Sequence, residues 1–240
     1  MARAILFYPL MVGLLIALAI LLAMPAYAQH PRTLQKPVST DIVECGDEDT
    51  PASKSALVVS PSGLQARLRL QAKAIKAKNK EDRRCATTWT LMAGSRGAPL
   101  RIVFQEQRDD EWGNESSFEI EGWSEDSRFL LLSTATMAGD WDETTPVIYD
   151  AEKNKSYEIK LAPLFEAMTP KDCLLYFRPL GFNASNQVLL DVGDLNYDRA
   201  PGEKACFPES RWELDYIQKR VKRVSTRSVP QKFGIVAREK

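Results

Sequence analysis

The carboxylates and exposed aromatics are where this sequence could do chemistry. Its denser acidic groups are Asp109-Asp110-Glu111, Asp140/Asp142/Glu143 and Asp191/Asp194/Asp198. Two suitably placed carboxylates are all that glycoside hydrolysis demands, so an acid-pair carbohydrate-active enzyme is one reading. In the last group, Asp194-Leu195-Asn196-Tyr197-Asp198 has the D-x-N-x-D spacing that sets three oxygen ligands on one side of a tight turn, as a calcium loop does. The match then stops, because Arg199 holds the glycine position and Ala205 that of the bidentate glutamate. Calcium held by Asp194, Asn196 and Asp198 is therefore the one cofactor suggested, and on a partial motif. Hydrolysis of the Ser-His-Asp type needs a histidine. The single one is His30, in a segment expected to be frayed, and no G-x-S-x-G elbow is present. Trp112 and Trp141 lie in polar, acidic stretches, Asp110-Glu111-Trp112-Gly113 and Gly139-Asp140-Trp141-Asp142. An aromatic flanked by carboxylates suits a binding face for a protein or a sugar. Trp112, Trp141, Asp140 and Asp142 are thus the candidate binding residues, and no catalytic set emerges.

The chain that must position these groups begins with the three-part order of a secretory signal peptide. Arg3 gives the positive start, Leu10–Ala23 is almost wholly apolar, Pro25 breaks the run, and Ala26-Tyr27-Ala28 supplies a cleavage site. The expectation is export to the periplasm or beyond, with no stable membrane span after cleavage. A retained anchor is the rival reading. The remainder is long enough for one domain with a full-sized core. Lysine plus arginine and aspartate plus glutamate both number 32. A neutral chain has no global field to gather nucleic acid. The local runs Lys73–Lys80 and Lys219–Arg227 read as solvated faces. Cys45, Cys85, Cys173 and Cys206 imply two disulfides in an exported chain, with three connectivities open, and lack the close spacing of a zinc site.

Residues 29–54 read as an exposed lead-in, 55–228 as a β domain and 229–240 as a C-terminal tail. Between Ser116 and Ala162 the sequence gives four short strands in two hairpins, with turns at Ser124–Arg128 and Glu152–Lys155. The order recurs from Gly181 to Val224, and more loosely from Ala56 to Phe104. Ser60, Ser124 and Asn183 mark corresponding turns about 60 residues apart, a period that suggests stacked units. Gln65–Ala74 alternates strictly, with Ala66, Leu68, Leu70, Ala72 and Ala74 on one side. Its helix-forming composition notwithstanding, the period of two makes it a strand. A short helix is expected near Pro163–Met168, with Pro163 at its first position. Trp89, Trp123 and Trp212 fall at strand positions and belong to the core.

Trp123-Ser124-Glu125-Asp126-Ser127-Arg128-Phe129-Leu130-Leu131, followed by Val147-Ile148-Tyr149-Asp150, resembles the blade signature of TolB-type β-propeller repeats. Glu125 replaces the usual proline and Ser127 the usual glycine. The resemblance implies an architecture and brings no catalytic residues with it. Closed propellers have at least four blades, so three units imply an incomplete propeller or a sandwich-like stack. The unit pattern also implies the cysteine pairing. Cys85 and Cys206 precede the third strand of their units, and Cys45 and Cys173 precede the first. This favours Cys45–Cys85 and Cys173–Cys206.

The sequence therefore points to a mostly β fold, three related four-stranded antiparallel meanders with one short helix. The expected role is that of a non-enzymatic interaction module, presenting inter-strand loops to another protein or a cell-envelope polymer.

Overall fold

The structure, a computed structural model, describes residues 33–34, 36–46, 48–75, 84–138, 141–195 and 204–237. The segment read as a signal peptide lies outside them, as do Asp140, Asn196 and Asp198. No helix among the described residues is long and apolar enough to cross a membrane.

Three short strands lead in: β1 (Val38–Ser39), β2 (Val43–Glu44) and β3 (Ser53–Lys54). Then come three antiparallel meanders. The first is β4 (Val58–Val59), β5 (Leu64–Ile75), β6 (Arg84–Ser95) and β7 (Arg101–Glu111). The second is β8 (Glu115–Trp123), β9 (Phe129–Ala138), β10 (Trp141–Asp150) and β11 (Lys155–Glu158). A helical turn α1 (Ala162–Phe165), continued as a 3-10 turn to Met168, leads to the third: β12 (Leu175–Phe182), β13 (Val188–Asp194), β14 (Ser210–Asp215) and β15 (Arg220–Val224). A last short strand, β16 (Ile235–Val236), returns to β4. The lead-in is built into the sheets, since β1 and β2 pair with β8 and β3 pairs with β5.

The hydrophobic pattern of each strand reports how many of its faces are covered. β5 alternates: Ala66, Leu68, Leu70 and Ala72 are buried while Arg69 and Lys73 are exposed, as expected of a sheet packed on one side. The runs Phe129-Leu130-Leu131-Leu132 and Val147-Ile148-Tyr149 do not alternate, because the second sheet lies between the other two. Leu130, Leu132, Val147 and Tyr149 join Leu68, Leu70, Trp89 and Leu91 of the first sheet in one core. Phe129, Leu131 and Ile148 join Phe165, Phe182, Leu190 and Trp212 in the other. Trp89, Trp123 and Trp212 are all core residues.

The three marker turns are built alike. The backbone N–H of Ser60, Ser124 and Asn183 donates across the turn to the carbonyls of Leu64, Phe129 and Gln187, at 2.7, 2.8 and 2.9 Å. Each marker's side-chain oxygen then accepts the N–H of that same partner, at 2.9, 2.9 and 3.0 Å. Serine and asparagine suit the position because a short polar side chain can close such a turn on itself. Just before the strand resumes, Gly63, Ser127 and Asn186 adopt positive φ.

The C-terminal segment joins the three sheets. Gln231 exchanges both backbone hydrogen bonds with Phe182, at 2.7 and 3.0 Å, and Phe233 does so with Trp123, at 3.0 and 2.8 Å. Ile235 then pairs with Val59. Three alternate residues of one extended segment thus each engage a different sheet, and the segment acts as a clasp. Its side chains anchor it too: Lys232 Nζ lies 2.7 Å from the buried Glu121 carboxylate, which also accepts the Ser133 hydroxyl at 3.1 Å. The approach is close enough to require glycine opposite. At Gly181, φ is +134° and a Cβ would sit 2.7 Å from the Gln231 carbonyl oxygen.

Two disulfides close the structure, Cys45–Cys85 and Cys173–Cys206. The first ties the lead-in to β6; the second ties the segment before β12 to the one before β14. Such bonds fit an oxidising, extracellular-type environment.

Candidate functional site

Each meander has two ends. One carries the marker turns, the turns between third and fourth strands, and the C-terminal clasp. The other carries the connections between second and third strands and those that lead from one sheet to the next. Trp112 lies at this second end, in the turn from β7 to β8, where Gly113 N–H donates to the Cys45 carbonyl at 2.8 Å. Its side chain is 51% exposed. Trp141 opens β10 and its backbone pairs with Ala138, which places it at the same end of the second sheet. The side chains of Trp141 and Asp142 lie outside the described part of the structure.

Of the calcium motif, Asp194 is described, and its carboxylate accepts the Cys206 N–H at 2.9 Å. Among the described residues, no group of three or more His, Cys, Asp or Glu side chains could hold a metal ion.

A cleft of about 960 Å³ opens toward the same end, at the upper limit of ordinary ligand pockets. Its walls come from all three sheets and from α1 and its flanking turns. β7 contributes Glu106 and Arg108, β10 contributes Thr144 and Thr145, and the end of β11 contributes Glu158. The segment from Lys160 to Leu175 supplies Leu161, Pro163, Glu166, Lys171 and Leu174, with Phe177 following on β12. The α1–β12 side therefore brings the apolar side chains of the cleft, Leu161, Pro163, Leu174 and Phe177, with Glu166 and Lys171 among them, and the β7–β11 side is charged.

Arg108 organises the charged side. It pairs with Glu106, two residues earlier on the same face of β7, and reaches across to Glu158 at 3.0 Å. Its guanidinium lies 5.2 Å from the ring centroid of the buried Trp89, a cation–π position. A planar guanidinium with several fixed donors suits this bridging role better than an ammonium would. The Glu158 carboxyl is held above the ordinary carboxylate range, first by burial and then by the neighbouring Glu106, against the opposing pull of Arg108. Here β7, β11 and β12 are the outermost strands of their sheets, β12 meeting the clasp besides at Phe182.

Glu106, Arg108 and Glu158 were not among the residues that sequence reasoning singles out. Their signal is the i, i+2 placing of charged residues, Glu106/Arg108 on one face of β7 and Glu158/Lys160 across the end of β11. In sequence that pattern is indistinguishable from a solvated face. Compared with family models, curated proteins and solved structures, the chain matches none.

Proposed function

We propose that this protein is an exported interaction module, periplasmic or secreted, that binds another protein or a cell-envelope polymer at the end of the stack where the inter-strand connections gather. In this reading its three meanders are copies of one TolB-like unit, arrested at three and held by the clasp where a closed propeller would rely on further blades. The cleft between the sheet edges carries the proposal. It joins an apolar wall to fixed charges of both signs, and Trp112 extends the same end of the molecule as an exposed aromatic. A mixed wall of this kind orients a partner by its polar groups while the apolar side supplies contact area.

The Glu106/Glu158 pair favours a second reading, an acid-pair enzyme. Two carboxylates acting on a glycosidic bond must flank the substrate and leave it room between them. Here Arg108 bridges the pair and neutralises much of its charge, so the arrangement suits binding better.

Affinity capture from an envelope extract of the source organism, using the oxidised protein, tests the proposal. Leu174→Glu places a charge on the apolar wall at an exposed position, and Ile217→Glu does the same at the opposite end of the third sheet. Loss of one dominant partner with the first variant and its retention with the second supports the cleft. Equal capture by both variants removes it. Hydrolysis of an envelope polysaccharide that disappears in Glu158→Gln would favour the enzyme.

A further inference from the structure

We propose that Cys173–Cys206 is a site of thiol–disulfide exchange, open to a low-molecular-weight thiol, and that its reduction unpins one wall of the cleft. The second part rests on the cleft being the binding site; the first does not.

The two disulfides span comparable stretches of chain, 40 and 33 residues, but differ in surroundings. Cys45 and Cys85 are fully buried in the core shared by the first and second sheets. Cys85 lies within β6, its neighbours paired on both sides. A thiolate reaches that bond only if the sheet opens. Cys206, by contrast, is exposed, and Cys173 is half-buried in the cleft wall. Accessible disulfides are the ones that exchange, because the attacking thiolate must reach a sulfur along the S–S axis.

The surroundings also set the direction of attack. Asp194 Oδ2 lies 3.4 Å from Cys206 Sγ, so negative charge developing on that sulfur is opposed, and Cys206 is the poorer leaving group. The incoming thiolate bonds to Cys206 Sγ as the Cys173–Cys206 bond breaks. The electron pair departs on Cys173 Sγ, which takes a proton from water. A second thiolate then attacks the sulfur of the attached thiol and releases Cys206. The balance is one protein disulfide reduced to two thiols and two small thiols oxidised to one disulfide.

The bond ties the segment Thr169–Leu174 to the approach of β14. Pro170, Lys171, Cys173 and Leu174 of that segment line the cleft. Its other ties across the gap are sparse: Leu195 N–H donates to the Leu174 carbonyl at 2.9 Å, and the β12–β13 ladder begins at Leu175. Among the described residues, reduction leaves the wall on those backbone ties and on the packing of Cys173 and Leu175 against the second core.

The test incubates the folded, oxidised full chain with reduced glutathione, quenches with acid, alkylates and maps the peptides. Cys173 and Cys206 are expected to become reactive at least ten-fold faster than Cys45 and Cys85, with the glutathione adduct on Cys206 early in the reaction. One common rate for all four cysteines, or earlier reduction of Cys45–Cys85, overturns the exchange site. An adduct on Cys173 instead overturns the direction of attack. Hydrogen exchange on the selectively reduced protein reads the wall. Amides of Lys171–Leu175 should exchange at least ten-fold faster, with those of β8 and β13 unchanged. An unaltered pattern overturns the unpinning while leaving the exchange chemistry standing. Neither measurement uses a cleft ligand, so failure here is distinct from failure of the binding proposal.

Discussion

Replacing Lys232 by methionine tests whether the clasp is held by its buried charge pair. The Lys232 ammonium sits 2.7 Å from Glu121, and both side chains are largely withdrawn from water, 18% and 6% exposed. Methionine keeps much of the aliphatic stem and removes the charge. At neutral pH this strands a carboxylate that keeps the Ser133 hydroxyl as its remaining hydrogen bond, and breaking one side of a buried pair costs about 3–5 kcal/mol. For a domain of this size that is a fall in melting temperature of about 10 °C. The loss must depend on pH. Burial holds the Glu121 carboxyl above its ordinary value, and the charge and hydrogen bond of Lys232 oppose that rise. Without Lys232 it rises further. A carboxyl raised in the folded state supports folding fully while pH is below its unfolded value, and that support is lost as pH climbs through the folded value. Lys232→Met should therefore cost little near pH 4, where Glu121 is protonated with or without its partner, and the full amount near pH 8. Thermal unfolding of both proteins at the two pH values decides it. Glu121→Gln added to Lys232→Met should recover most of the loss at pH 8. A penalty that is the same at both pH values, or unrelieved by the second substitution, would mean that the buried charge pair does not hold the clasp.

Other consequences follow from the same packing. Asp191 is 5% exposed and accepts hydrogen bonds from Arg211, at 2.8 and 3.1 Å, and from Arg178, at 2.9 Å. Burial pushes its carboxyl up, but the two guanidinium groups outweigh that and leave it below the ordinary range. Its contribution is therefore present above about pH 4 and lost as pH falls; Asp191→Ala should cost about 3 kcal/mol at pH 7 and progressively less in acid-unfolding series. Gly181→Ala forces a Cβ against the Gln231 carbonyl at positive φ, whereas Gly63, at φ +90°, has nothing within 4 Å of a Cβ. Denaturant melts should show a loss of about 1 kcal/mol for Gly63→Ala and more than twice that for Gly181→Ala. Ser124→Ala removes the oxygen that closes the second marker turn and leaves the Phe129 N–H without its 2.9 Å bond, a cost of about 1–3 kcal/mol measurable by the same melts.

Much of the fold could be read from local pattern. Strict alternation from Gln65 to Ala74 identified a strand in a stretch rich in helix formers, because one face of β5 meets a core and the other meets water. Ser60, Ser124 and Asn183 were legible because their side chains bond to backbone only a few residues away, so the whole device lies within one turn. The cysteine pairing followed from equivalent places in the meanders. The clasp was not legible. Phe233 and Ile235 alternate as a strand should, but their partners, Trp123 and Val59, are more than a hundred residues distant, and nothing local names them. The cleft was hidden for a similar reason. Glu106 and Arg108 on β7 meet Glu158 at the end of β11 only because the last strands of two sheets come together, and no spacing along the chain encodes that meeting. Trp112, by contrast, is exposed as its polar loop suggests.

Site-directed photo-cross-linking would catch the proposed partner where it seats, at the cleft end of the stack. A photoreactive phenylalanine analogue at Leu174, 63% exposed on the cleft wall, is compared with the same analogue at Ile217, 73% exposed at the opposite end of the third sheet. Irradiation of the oxidised protein with source-organism envelope should give one dominant adduct from position 174 and none from position 217. Adducts from 217 alone, or equal adducts from both, would contradict the account.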